Sequence, residues 1–290
     1  MEPEDRMDAT FRKLILGKAF RTLLAAACVP GFISCISLPG TPSLSKEIKT
    51  HNVVYTPQDW AVPLRGDVYR PKTGDVLPGI LLIHGDGRIA DDGRWQMNGI
   101  ARKLSKRGYV VFNITYRMAP DWAYPAPLLD AQEALKWMRA HAEENGMDPD
   151  RIGAFGYSAG GYVGLLAAMQ GDAAIKAVVA GAAPSDLSYY GRGDLIRDFL
   201  GGSPEEVPER YYEASPVNHV TRRSPPVFLY HGEKDRLVNP DHAREMLVEL
   251  EKYHVPHVIR WIPGKGHIGA FLMSGAAVDE SIGFLDRYLK

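Results

Sequence analysis

The chain has 290 residues, 45% hydrophobic and 24% charged, with 34 Lys and Arg against 35 Asp and Glu and a formal net charge of −1. That length suits one large α/β domain behind a leader, and the composition excludes a disordered chain. The charge is balanced and no basic block stands beside an aromatic ladder, so a nucleic-acid footprint is absent.

Residues 1–42 read as an export leader and linker. Arg12, Lys13, Lys18 and Arg21 precede an uncharged stretch from Thr22 to Ser45, the basic-then-apolar order of an export signal. The acidic opening MEPEDRMD suits a translation start at Met7, and Pro30, Gly31, Pro39 and Gly40 suit a processed leader better than a spanning helix of about 20 residues. Both cysteines, Cys28 and Cys35, lie here, and FISC at 32–35 is similar to the cleavage box of bacterial lipoproteins, whose cysteine is lipidated. The expected location is the periplasm, the exterior or a lipid-anchored envelope, with the N-terminus as the membrane contact.

Residues 43–290 read as one catalytic domain of strands alternating with helices, which predicts a mostly parallel, eight-stranded-type sheet with helices on both faces. HNVVYT and LRGDVYR form a partly exposed opening pair; GILLIHG, GYVVFNITY, RIGAFGYS, IKAVVAGA, PVFLYHG and HVIRWIP follow as buried strands. MNGIARKLSKRG, PLLDAQEALKWMRAHAEENG and NPDHAREMLVELEKYH carry helical apolar spacing, and the last helix starts at a Ser274 cap. Residues 184–224 are too long for a simple connection and predict a small helical cap insertion.

GILLIHG runs into GDGRIA at 85–90, which fits G-x-G-x-x-A. A dinucleotide site would need a helix at once and an acid near the end of the next strand, but RIADDGRW lacks helical period and that strand ends in NITYR. A loop that offers backbone N–H groups to a developing oxyanion fits instead.

GYSAG at 156–160 lies between strand RIGAFGY and helix AGGYVGLLAAM, the setting of a nucleophile elbow. A sharp strand-to-helix turn demands tiny residues two before and two after the serine; Gly156 and Gly160 meet that demand. The turn exposes Ser158, and the helix beyond directs N–H groups and positive charge at incoming negative charge. A serine hydroxyl needs a base, and the base an orienting acid. The loop after PVFLYHG offers Glu233 and Asp235; Asp235, deeper in the loop, is the choice and Glu233 the alternative. His267, in the glycine-flexible loop after HVIRWIP, is the expected base, whereas His254 and His257 sit at that strand's other end. No Cys pair, HExxH or spaced His cluster points to a metal, and no cofactor is expected.

Taken in order, HGDG (84–87), YRMAP (116–120), YPAP (124–127) with Asp130, DPDRI (148–152), GYSAG, HGEKD (231–235) and PGKGH (263–267) resemble the α/β-hydrolase esterases of the hormone-sensitive-lipase and bacterial feruloyl-esterase-like branches, from about residue 50 onward. The resemblance implies an α/β-hydrolase fold, with Ser158 as nucleophile, Asp235 as acid and His267 as base. It also implies an oxyanion hole of the Asp86, Gly87 and Ala159 backbone N–H groups. Asp86 stands where the family run is H-G-G-G; its carboxylate is expected to turn away, toward Arg88 or Arg94. Arg117 is expected to pair with Asp130 as scaffold. Trp95, Trp122, Tyr157, Tyr189 and Tyr190 are candidate pocket walls.

The expected activity is hydrolysis of small or short-chain carboxylic esters, a small-molecule substrate class that includes acetyl or feruloyl esters of plant polymers. The rivals are an amidase or peptidase of arylformamidase type on the same triad, and a silent ligand-binding protein.

Overall fold

The computed structural model describes residues 47–85, 92–170, 175–190 and 193–290. The leader, its cysteines, Asp86, Gly87 and Arg88 lie outside the described residues.

Eight strands form one sheet: β1 (Glu47–Val54), β2 (Arg65–Pro71), β3 (Leu77–Ile83), β4 (Val110–Ile114), β5 (Met147–Tyr157), β6 (Ile175–Gly181), β7 (Val227–Gly232) and β8 (His257–Ile262). Their order is β1-β2-β4-β3-β5-β6-β7-β8. The β1/β2 and β2/β4 pairs are antiparallel and the rest parallel, as the strand-helix alternation predicts.

Strand period 2 builds the two cores. Leu81, Ile83, Ala154, Val178 and Leu229 pack on one face; Ile80, Leu82, Phe155, Val179 and Phe228 pack on the other. Each of these Val, Leu, Ile and Phe side chains contributes about 1.5–3 kcal/mol on burial. Helices α2 (Ala126–Ala140), α3 (Ala159–Met169) and α6 (Asp241–Lys252) cover the first face through Leu135, Leu166 and Met246. Helices α1 (Asn98–Lys106) and α8 (Gly275–Leu289) cover the second through Leu104 and Leu285, and the short helix α7 (His267–Leu272) precedes α8. On α1 the buried residues Ala101, Leu104 and Ser105 fall at i, i+3 and i+4, the spacing of one helical face.

Four expectations need correction. Strand β8 is half exposed rather than buried, because it is the sheet's outer strand. Strand β2 is mostly buried, because β1 covers it. The helix read over 127–146 stops at Ala140, and a separate turn, Ala142–Asn145, follows. Ser274 stands at the cap position, but its hydroxyl donates to the Phe271 carbonyl at 2.8 Å instead of capping α8.

Within 184–224 the chain forms two 3-10 turns, Leu187–Tyr190 and Pro216–His219, and two short helices, α4 (Asp194–Leu200) and α5 (Pro208–Ala214). Leu200 and Tyr211 anchor them to the core. The carboxyl ends of β3, β5, β6 and β7 line one edge, as the partners Ile83↔Gly156, Tyr157↔Gly181 and Gly181↔Tyr230 show. Loops from that edge meet above it.

Candidate active site

The elbow is forced by sterics. Ser158 has φ 54° and ψ −123°, a left-handed backbone that non-glycine residues rarely adopt, and its N–H donates to Gly181 O at 2.7 Å. A Cβ on Gly156 would stand 2.2 Å from Gly160 O, and one on Gly160 would stand 2.2 Å from Ile83 O and 2.3 Å from His84 O. Only glycine fits either place. Ala159 opens α3, where the first N–H groups have no intrahelical acceptor.

Three loops deliver three side chains. Ser158 Oγ stands 2.9 Å from His267 Nε2, and His267 Nδ1 stands 2.7 Å from Asp235 Oδ2. The carboxylate accepts at Nδ1, so the proton sits on Nδ1 and Nε2 is left as the acceptor facing the serine hydroxyl. Oδ1 of Asp235 accepts from the N–H groups of Leu237 (2.9 Å) and Val238 (3.0 Å). Burial alone would raise this carboxyl. Hydrogen bonds from His231 and His267, the His267 charge and the Val238 N–H outweigh burial and hold it well below the usual carboxylate range. Glu233 is exposed and accepts from the Gly264 N–H at 3.2 Å, so it shapes the His267 loop and does not touch the imidazole.

Two fastening residues were not anticipated. His231 is buried, donates Nε2–H to Val238 O at 2.9 Å, and has the same nitrogen 3.5 Å from Asp235 Oδ2. Tyr157, expected as a pocket wall, is instead a core residue, because the elbow turns it beneath the sheet edge. Its hydroxyl donates to His267 O at 2.7 Å and its ring packs on Tyr230, His267 and Phe271. Burial pushes this phenol far up, with Tyr230 and Asp235 adding to the shift. The signal in the sequence is period 2: Tyr157 follows Phe155 on the same face of β5.

The other aromatic candidates make contacts of their own. Trp122 lies against the Arg117 guanidinium at 5.1 Å, with Trp60 at 5.3 Å. Arg117 pairs with buried Asp130 at 2.7 Å, and Trp60 Nε1 donates to the same carboxylate at 2.9 Å. Tyr189 is exposed and donates its hydroxyl to Glu245 at 2.6 Å; Tyr190 stacks on buried His242 at 5.2 Å. Both rings thus fasten the cap to α6. Trp95 lines a surface hollow that contains none of the three triad side chains. Arg94, one of the two expected partners for Asp86, binds Asp92, Asp67 and Asn52.

His84, which opens HGDG, is buried with Nδ1 donating to Gly85 O at 2.7 Å, while Tyr116 O–H donates to His84 O at 2.9 Å. Burial lowers the His84 imidazole to about 4. Among the described residues, no group of three or more His, Cys, Asp and Glu is placed to hold a metal.

Against known proteins, the BD-FAE family model matches residues 66–250. Esterase LipC of Mycobacterium tuberculosis is 30% identical over 241 residues, covering 72% of this chain and 58% of LipC, so the chain spans under two thirds of that relative's length. An uncharacterized peptidase, YtmA of Bacillus subtilis, is 29% identical over 74% of this chain and 84% of its own. Among solved structures, a truncated carbohydrate esterase from gut microbiota superposes with a TM-score of 0.75 at 21% identity, covering 84% of this chain and 97% of that one; this shows the shared fold. The chain belongs to the BD-FAE family and has the α/β-hydrolase fold.

Proposed function

We propose that this BD-FAE family member is a serine hydrolase of small or short-chain carboxylic esters. The observation that carries the reading is the unbroken line Ser158 Oγ, His267 Nε2, His267 Nδ1, Asp235 Oδ2 at 2.9 and 2.7 Å. Ser158 Oγ attacks the acyl carbon as His267 Nε2 takes its proton; Asp235 stabilises the resulting imidazolium and keeps the ring in place. The N–H of Ala159, with those of Asp86 and Gly87, receives the oxyanion. Collapse breaks the acyl-oxygen bond, and His267 returns the proton to the departing alcohol. Water, deprotonated by the same nitrogen, then attacks the Ser158 ester; the acyl–Oγ bond breaks, His267 returns that proton to Ser158 Oγ, and the carboxylic acid leaves. Acetyl and feruloyl esters are within this class.

A second reading, amide or peptide hydrolysis on the same residues, draws on the likeness to the peptidase YtmA. Initial rates on p-nitrophenyl acetate, butyrate and octanoate and on a peptide p-nitroanilide, with Ser158→Ala beside the wild type, separate the two. Fast ester turnover lost in the variant supports the first reading. A preference for the anilide moves the assignment to the second, and equal rates for variant and wild type overturn both. Export, with lipidation at Cys35, is part of the proposal; an intact mass that begins at Met1 or Met7 would remove it.

A further inference from the structure

The catalytic edge continues past the triad. Asp67 on β2 pairs with Asn113, next to the end of β4, and Gly66 pairs with Ile114; Ile114 and Gly156 both pair with Ile83. The start of β2 therefore lies on the same edge as Ser158, three strand spacings away, or about 14 Å. One 3-10 turn, Gly93–Met97, connects the two places. Its Gln96 Oε1 and the Ser158 Cβ both lie within 4 Å of the point where a Gly85 side chain would begin. Its Trp95, 44% exposed, lines a hollow of about 370 Å3 bounded by Asn52, Asp67 and Asn98.

The chemistry of this hollow narrows what it can hold. Arg94 Nη1 binds Asp67 at 2.9 Å and Nη2 binds Asn52 Oδ1 at 2.7 Å, while its guanidinium also pairs with Asp92. Lys49 Nζ stands 3.1 Å from Asp67. Among the described residues Asp67 is thus paired with Arg94 and Lys49 and Asp92 with Arg94, while His51, at 3.6 Å from Asp67, is cationic only when protonated. Among the described residues each carboxylate here is already paired with a cation, which leaves no free charge to select an ionic ligand, and the polar walls suit no acyl tail.

Hydrogen-bond donors remain. Asn52 spends its side-chain oxygen on Arg94, and Asn98 spends its own on Tyr69 O–H at 2.6 Å, which leaves both amide N–H groups for a ligand. Asn52 has a left-handed backbone, φ 57°, held by its N–H to Asp67 at 3.0 Å. Arg94 thus fixes Asn52 and the Tyr69 hydroxyl fixes Asn98 before any ligand arrives, which lowers the ordering cost of binding. An exposed indole face beside fixed neutral donors matches a ring with hydroxyls on its rim and C–H groups on its faces.

We propose that this hollow is a subsite for the neutral oligosaccharide portion of an ester substrate, with Trp95 as stacking platform and Asn52 and Asn98 as hydroxyl partners. The proposal rests on the ester-hydrolase reading. It places the glycan chain along the sheet edge from Ser158 toward β2.

Two experiments on the full chain test it. In native gels containing xylan, glucomannan or arabinan, the wild type is retarded by at least one polymer, and Trp95→Ala and Asn52→Ala lose most of that retardation. On acetylated forms of the retarding polymer, Trp95→Ala lowers kcat/KM at least fivefold more than it does on p-nitrophenyl acetate. No retardation by any of the three, or a polymer-to-small-ester ratio within twofold of wild type in both variants, overturns the subsite. Failure of the ester reading looks different: wild type and Ser158→Ala then match on p-nitrophenyl acetate whatever the gels show. Circular dichroism of each variant checks that a lost signal is not lost folding.

Discussion

The triad edge and the cap insertion are both built from loops above the same sheet, yet they are specified differently. At the edge, each position is set by an atom a few ångströms away: the Gly160 Cβ site is occupied by carbonyl oxygens, and each heteroatom of the triad faces its neighbour within hydrogen-bond distance. In the cap, segments of four to seven residues are held by side-chain fasteners, Tyr189 to Glu245, Tyr190 on His242 and Tyr211 O–H to Gly202 O at 3.2 Å. Hard sterics tolerate almost no substitution, whereas distributed fastening tolerates many. Substitutions at the edge should therefore cost far more than those in the cap.

The sharpest test is at the acid. Asp235→Asn leaves the packing intact but favours the wrong His267 tautomer, so kcat should drop by about 10³–10⁴, whereas Glu233→Gln should stay within about threefold. A comparable loss in the Glu233 variant would mean that the acid has been misassigned. Next comes Gly160→Ala, whose methyl must displace the β3 backbone at Ile83 and His84. We expect a loss of about 3 kcal/mol or more in urea unfolding, together with lost turnover. A drop below 1 kcal/mol would show that the elbow is softer than its contacts imply.

The same contrast explains what could be read from sequence. GYSAG, HGEKD and PGKGH were legible because each encodes a local demand: a small residue where backbone crowds, an acid after a strand end, a base after a glycine. The sheet was legible through period 2. The contacts of the cap tyrosines were not, because which helix a tyrosine packs on is decided by tertiary partners such as Glu245 and His242, more than 50 residues away. Tyr157 was misread for the opposite reason, since the elbow that exposes Ser158 turns its neighbour inward. The exposure of β8 depends on strand order, which no single segment carries.

Acid sensitivity crosses both regions. His84 at the edge and His242 beneath the cap are buried, and burial pulls each to about 4, with His231 reinforcing the shift at His242. The unfolded chain binds protons at these histidines near 6.5 and the folded chain does not, so stability is full above 6.5 and falls as pH drops toward 4. Each contributes at most about 3 kcal/mol to that fall. Asp235 acts lower, keeping its contribution above the ordinary carboxylate range and losing it only as pH falls toward its depressed value. Unfolding free energy measured from pH 7.5 to 4.5 should decline, and His242→Phe should flatten the slope; an unchanged slope would show that His242 does not stay neutral. Tyr157→Phe removes the hydroxyl on His267 O, so kcat should fall about three- to tenfold with KM within twofold.

The smallest effect belongs to the cap. Tyr189→Phe keeps the ring near His242, at 4.9 Å in the parent, and deletes only the bond to Glu245. Both ends of that bond meet water, so its net worth is below about 1 kcal/mol. Turnover on p-nitrophenyl acetate should change less than twofold if the ring fastens the cap and does not contact the acyl group. A shift in the acetate-to-octanoate preference of fivefold or more would instead return Tyr189 to the pocket, and the cap would then act on substrate as directly as the edge does.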